Sequence, residues 1–362
     1  MRAPDPGLGQ GPGQWRHLPL FEVSVAPTAR LTLGEADTPL ERAGELGRAL
    51  GVPQLLLKRE DLSPTGSHKG RAMGLLCASL ADQGQTQAVV SSSGNAAAAA
   101  ATYSGLAGVR LLALLSPRTP GCKLEAVRSQ PQLTVLSSRP VGLLHHAVAA
   151  WGMTDLRTSV HPLGAVAYRG IAAELLEGDR PAGVFVFSSS GATALGLAQG
   201  FERLLPRADL PQIHLVEAGG GGELTRPWYP AQRADPGPAD RLGELGTRRT
   251  RLAPGLRRLV RRSGGRGWRI GWDHALRVQA LASGCGVETS WEGIATLAAL
   301  EQAAAAGALV PDRPWVALLT GHASQLRLEP DPSLAAELPR AEAAPELDLI
   351  LESAGFQRPG PR

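Results

Sequence analysis

The chain has 362 residues, 43 % of them hydrophobic and 19 % charged, with a formal net charge of +4. That balance suits one large or two medium domains with real cores and excludes an intrinsically disordered chain. The basic excess is too small to indicate a nucleic-acid partner, and Cys77, Cys122 and Cys285 lie far apart without CxxC spacing, which indicates neither a disulfide framework nor a zinc site.

The opening stretch, MRAPDPGLGQGPGQW, has no apolar run suited to a signal sequence. No later stretch approaches the roughly 20 apolar residues of a membrane span. The expectation is a cytoplasmic protein with no membrane, nucleic-acid or metal partner.

In chain order, residues 1–16 are rich in Gly and Pro and are expected to form a flexible arm. Short apolar runs at Leu55–Leu57, Ala88–Ser91, Val109–Leu115, Val184–Phe187, Ile213–Val216 and Trp315–Leu319 read as buried strands. Helical patterns alternate with them at Arg71–Gln83, Asn95–Gly105, Ala192–Leu205, Asp273–Ser283 and Gly293–Gly307. Strand and helix taking turns predicts an α/β fold with mostly parallel sheets covered on both faces. Residues 219–269 begin with four glycines, hold most of the clustered arginines and show no periodicity, which predicts a long excursion. The tail from 330 to 362 is rich in Pro and Ala, with a short helix expected near Leu347–Ser353.

Four loops of small residues follow strands, where ligands collect in open α/β sheets. The first, Ser-Pro-Thr-Gly-Ser-His-Lys-Gly-Arg at 63–71, places Lys69 at a helix start. A lysine there opposes the helix dipole. It is either an ordinary surface residue or an amine whose lowered pKa suits Schiff-base chemistry. The second, Ser91-Ser92-Ser93-Gly94-Asn95-Ala96, offers hydroxyls and free helix-start amides to a carboxylate, or is a plain helix cap.

The third, Ser188-Ser189-Ser190-Gly191-Ala192-Thr193, has the same grammar and lets the backbone wrap a phosphate, with a simple cap again as the alternative. The fourth, Leu318-Leu319-Thr320-Gly321-His322, offers a neutral hydroxyl at a strand end. Glu292 opens a helix near these loops, where the dipole alone favours a glutamate. His145-His146 lies in an apolar helical pattern and reads as structural.

Taken together and in this order, the four loops resemble the fold-type II pyridoxal-phosphate enzymes. That group includes threonine synthase, serine/threonine dehydratase, cysteine synthase and the tryptophan synthase β chain. The likeness spans about Leu33 to Leu326. Gly34-Glu35-Ala36-Asp37-Thr38-Pro39-Leu40 is similar to the threonine synthase opening, and Leu57-Lys58-Arg59-Glu60-Asp61 with Pro64-Thr65-Gly66-Ser67-His68-Lys69 to the cofactor-lysine segment.

The resemblance implies pyridoxal 5'-phosphate held on Lys69, with Asn95 at its ring oxygen. It implies Ser189, Ser190, Gly191, Ala192 and Thr193 at its phosphate, and Thr320 at the pyridine nitrogen. Ser92, Ser93, Gly94 and Ala96 would surround the carboxylate of an amino-acid substrate. A hydroxyl at the ring nitrogen leaves it largely unprotonated, which favours elimination and replacement on side chains over transamination.

The implied architecture is two three-layer α/β/α domains. Residues 17–66 and 167–329 would form the large cofactor domain and 67–166 the small carboxylate domain, in a homodimer. The implied activity is a lyase or synthase of the threonine synthase type. A serine/threonine dehydratase-like deaminase and a non-catalytic regulatory homologue are the alternatives. Departures bear on that choice: threonine synthases usually show Ser-Phe-Lys-Asp-Arg where this chain has Ser67-His68-Lys69-Gly70-Arg71, and Ser-Ser-Ser-Gly-Ala replaces the common glycine-only phosphate loop.

Overall fold

The computed structural model describes residues 13–92, 94–218, 222–229, 242 and 249–359. Its strands are β1 (Leu40–Arg42), β2 (Leu55–Arg59), β3 (Gln87–Ser91), β4 (Arg110–Leu115), β5 (Leu133–Leu136), β6 (Thr154–Asp155), β7 (Gly183–Phe187), β8 (Gln212–Ala218), β9 (Gly267–Ile270) and β10 (Trp315–Leu319). The helices are α1 (Leu18–Phe21), α2 (Gly44–Ala49), α3 (Lys69–Asp82), α4 (Asn95–Leu106), α5 (Gly121–Arg128), α6 (Pro140–Trp151), α7 (Arg169–Leu176), α8 (Ala192–Leu204), α9 (Ala253–Arg262), α10 (Trp272–Gly284), α11 (Trp291–Ala305), α12 (Pro332–Ala336) and α13 (Ala344–Ser353). None of the described helices is long and apolar enough to cross a membrane.

The chain divides into two compact units. The first comprises Met1–Val23, Gly34–His68 and Ala165–Leu326 and holds a six-stranded sheet in the order β1-β2-β10-β7-β8-β9. Only β1 runs antiparallel; β2, β10, β7, β8 and β9 are parallel. Every residue of β7 and β10 is buried, as expected of strands covered on both faces. Helix α8 lies close along α7 and the 3-10 turn that precedes it, because Gly200 faces the first and Gly196 the second. A Cβ at Gly196 would come within 2.0 Å of the Ala165 carbonyl oxygen, and one at Gly200 within 2.6 Å of that of Arg169.

The second unit comprises Ser24–Leu33, Lys69–Gly164 and Arg327–Arg362 around a parallel sheet in the order β5-β4-β3-β6. Side chains alternate across its strands. Ala88, Val90, Leu111 and Ala113 pack with Met73, Leu76 and Ala97 from α3 and α4 on one face. Val89, Leu112 and Leu114 pack with Leu143, Leu144, Leu347 and Leu351 from α6 and α13 on the other. The unit is thus a three-layer α/β/α sandwich.

Three segments differ from the sequence expectations. Residues 1–12 of the expected arm lie outside the described residues, but Gly13–His17 forms a short 3-10 helix in which Trp15 is only 1 % exposed. Residues 327–362 are not a mere tail: α13 spans the expected Leu347–Ser353 helix and joins the second unit, as do residues 24–33. Within 219–269, α9 and β9 are regular structure. Its apolar positions Ala253, Leu256 and Val260 fall on one face among the arginines, a period the cluster of charge obscures.

Candidate active site

Parallel strands end together, so the loops after β2, β10, β7 and β8 share one edge of the first sheet. The β10–β7 register pairs Leu318 with Val186, which sets Thr320 level with Ser188. Ser188 is buried and its hydroxyl donates to the Val186 carbonyl at 3.1 Å, so it serves its own strand end. Ser189 and Ser190 are half-buried, and Gly191, with φ at +86°, is the N-cap of α8. No side chain caps this helix and no acidic residue sits in its first turn. Its first amides, with the positive end of the dipole, therefore suit an anion.

The turn after β10 is stitched to the stretch that precedes Lys69. The Thr320 carbonyl accepts from the His68 amide at 3.3 Å and from His68 Nδ1 at 2.9 Å. Ser67 bridges to Gly321, and the His322 amide donates to the Gly66 carbonyl at 2.9 Å. Thr289 Oγ1 and the Ser290 amide both donate to the Gly321 carbonyl, at 3.0 and 2.8 Å. Thr320 itself is 3 % exposed. Ser290 Oγ is buried without a hydrogen-bond partner among the described residues, 2.8 Å from where a Cβ on Gly321 would lie.

In the second unit, Lys69 is the first residue of α3 and is half-buried. After β3, the Gly94 amide donates to Ser92 Oγ at 3.2 Å, and Gly94 (φ +140°) precedes Asn95 and Ala96 at the start of α4. Ser93 lies outside the described residues. Lys123, 4 % exposed on α5, packs so tightly on Gly94 that a Cβ there would lie 2.5 Å from its own Cβ. Nothing in the sequence singles out Lys123, because its helix reads as an ordinary amphipathic pattern.

Two buried charged groups lie on the strands of the first sheet. At the end of β8, Glu217 accepts from the Thr225 amide and hydroxyl at 2.8 and 2.7 Å and from the Leu224 amide at 3.3 Å. Burial pushes its carboxyl up, against the opposing pull of those donors and of Arg269. On β2, Lys58 Nζ lies 2.5 Å from Glu174 and 2.6 Å from the Thr38 carbonyl, while Thr38 Oγ1 donates to Glu60 at 2.6 Å. Segments 34–40 and 57–61 therefore meet in one polar cluster.

His17, Asp37 and Glu174 form the one cluster of metal-ligating type among the described residues. Lys58 already pairs with Glu174 and Arg16 with Asp37, so cations of the chain itself occupy that place. None of Cys77, Cys122 and Cys285 is in a disulfide, and burial pushes the Cys77 thiol up to about 12, which keeps it protonated and inert.

The sequence profile of the family described as "pyridoxal-phosphate dependent enzyme" matches residues 31–321. The chain belongs to that family. It is similar to the threonine synthase of Methanosarcina acetivorans, 33 % identical over 104 residues, which cover 29 % of this chain and 25 % of that protein. With the threonine synthase of Mycobacterium leprae it is 29 % identical over 233 residues, 62 % of this chain and 56 % of that one. The match thus spans from a quarter to a little over half of these relatives' length.

Among solved structures, threonine deaminase isoform 2 from Solanum lycopersicum gives a TM-score of 0.67 at 17 % identity, over 94 % of this chain and 93 % of that one. Maize serine racemase gives 0.66 at 19 % identity, over 79 % and 88 %. These likenesses show the fold, that of the fold-type II enzymes. Pyridoxal 5'-phosphate is the cofactor of this family, and the donor set suits it. The group brings a phosphate, and the loop before α8 offers hydroxyls and helix-start amides with no competing carboxylate in the first turn.

Proposed function

We propose that this enzyme is a lyase or synthase of the threonine synthase type, catalysing elimination or replacement on an amino-acid side chain. The observation that carries the reading is the run Pro64–Lys69: Gly66, Ser67 and His68 are all tied to the turn at Thr320–His322, and Lys69 comes next, opening α3. Such a lysine is held by its neighbours despite an unfavourable dipole, which suits a chemical rather than a structural task.

Lys69 would hold the cofactor's aldehyde carbon and afterwards carry the proton between substrate carbons. Ser189, Ser190, Gly191, Ala192 and Thr193 would hold its phosphate, Asn95 its ring oxygen, and Thr320 would face the pyridine nitrogen. Ser92, Ser93, Gly94 and Ala96 would take the substrate carboxylate with helix-start amides, the donors a carboxylate prefers. When bound, the cofactor supplies an electron sink for a carbanion at the substrate's α carbon. A hydroxyl partner at Thr320 leaves that sink weak, which favours loss of a β or γ leaving group. The threonine synthase relatives support phosphohomoserine as the first substrate to try.

A dehydratase-like deaminase is the second reading, supported by the fold shared with threonine deaminase isoform 2 from Solanum lycopersicum. The holoenzyme should be given phosphohomoserine, serine and threonine in turn. Phosphate release with formation of threonine is the expected result. Keto acid and ammonia from serine or threonine would favour the deaminase. Cofactor binding without turnover of any of the three would leave a non-catalytic homologue.

A further inference from the structure

Residues 222–225 and 249–257, from the stretch without a readable pattern, form a wall behind the loop before α8. Thr250 Oγ1 donates to the carbonyl oxygen of Ser190 at 2.7 Å, and the Thr250 amide donates to Glu223 Oε2 at 3.0 Å. Arg257 ties the wall together, donating to the carbonyls of Glu223 and Leu224. Leu256 and Leu224 pack on Gly191, where a Cβ would lie 2.7 and 3.3 Å from their methyl carbons. The wall is anchored below by Glu217, whose partner Thr225 also accepts from Arg269 Nε at 2.9 Å.

A peptide group is planar and trans, so its C=O and N–H point in opposite directions. The carbonyl of Ser190 and the amide of Gly191 belong to one such group. Once Thr250 draws that carbonyl into the wall, the Gly191 N–H points away from it, at the open start of α8. The positive φ of Gly191 permits this orientation, and the leucines behind it leave no room for a side chain at that position.

We propose that Thr250 is a positioning residue for the cofactor phosphate: by holding the Ser190 carbonyl it aims the Gly191 amide at the phosphate. The inference rests on the reading of Ser189–Thr193 as the phosphate loop. It gives part of the Arg-rich stretch a task at the site.

The test compares pyridoxal 5'-phosphate with pyridoxal, which lacks the phosphate, titrated into enzyme freed of cofactor and followed by visible absorbance. Thr250→Val should weaken pyridoxal phosphate by about three- to tenfold, the scale of one misplaced hydrogen bond, and leave pyridoxal unchanged. Thr250→Ser should restore it, and the phosphorus resonance of bound cofactor should move in Thr250→Val but not in Thr250→Ser. Thr250→Ala makes the same comparison should valine not be tolerated. Equal weakening of both ligands, or of neither, overturns the proposal. Thr193→Val separates the two claims. If it lowers the preference for the phosphorylated ligand and Thr250→Val does not, Thr250 alone loses its role; if Thr193→Val has no effect either, the phosphate-loop reading falls and takes this inference with it.

Discussion

The carbonyl oxygen of Thr320 accepts two hydrogen bonds from the same residue, His68, one from its amide at 3.3 Å and one from its ring Nδ1 at 2.9 Å. A carbonyl can only accept, so Nδ1 carries the hydrogen. The residue proposed for the pyridine nitrogen and the neighbour of the proposed cofactor lysine are thereby held as one piece.

His68→Phe keeps a ring near Tyr168, whose centroid is 5.5 Å away, and removes the Nδ1 donor. It should cost about 1 kcal/mol in urea unfolding, the net worth of one hydrogen bond. Cofactor absorbance should persist, because the amide contact to Thr320 survives. Loss of all colour in this variant would mean that His68 does more than brace the turn.

Lys69→Ala should abolish visible cofactor absorbance and turnover together. The cofactor-free protein should unfold no earlier than the parent, since alanine is the better helix former and the lysine opposes the dipole of α3. Retained colour after exhaustive dialysis would remove Lys69 from its assigned role.

Lys58→Met leaves Glu174 as a buried carboxylate that has lost its ammonium partner, with the His17 ring 3.2 Å away. Breaking a buried pair from one side costs about 3–5 kcal/mol. The double variant Lys58→Met/Glu174→Leu should recover much of that loss. Denaturant midpoints of the two single variants and the double variant make the cycle; purely additive losses would show that the pair is not coupled.

His214 lies flat on Phe185, 4.3 Å between centroids, and its Nδ1 accepts from Trp268 Nε1 at 2.8 Å. Burial pushes its pKa down to about 3, with the Arg266 charge adding to the effect. An unfolded histidine titrates at about 6.5. Above that value neither state binds the proton. As pH falls below it the unfolded chain is protonated and the folded one is not, so stability drains away from about 6.5 down to about 3. His214→Asn should be less stable at neutral pH yet show a shallower acid slope across that window in thermal melts. An unchanged slope would place the acid sensitivity elsewhere.

The parts of the fold that the sequence made legible are those where one residue type does one job. Val184–Phe187 and Trp315–Leu319 read as strands because a strand buried on both faces is apolar throughout. The loops at 188–193 and 92–96 stood out because small residues sit between strand and helix. Strand β9 did not, since Gly267-Trp268-Arg269-Ile270 is short and carries an arginine. Trp15 looked like part of an arm because its burial depends on the folded first unit, not on its neighbours. Thr250 had no signature at all: its partner is a main-chain carbonyl 60 residues away, and motifs record side chains, not carbonyls.

One face of the second unit's sheet is covered partly by α13, so Val89, Leu112 and Leu114 share their core with Leu347 and Leu351. During translation that sheet is finished with β6, while α13 is still roughly 190 residues from being made. At about 5–20 residues per second, a ribosome leaves this apolar surface partly bare for about 10–40 s. The nascent chain therefore carries a built-in interval of stickiness, and chains released early, without α13, are the ones that hydrophobic-binding chaperones should retain.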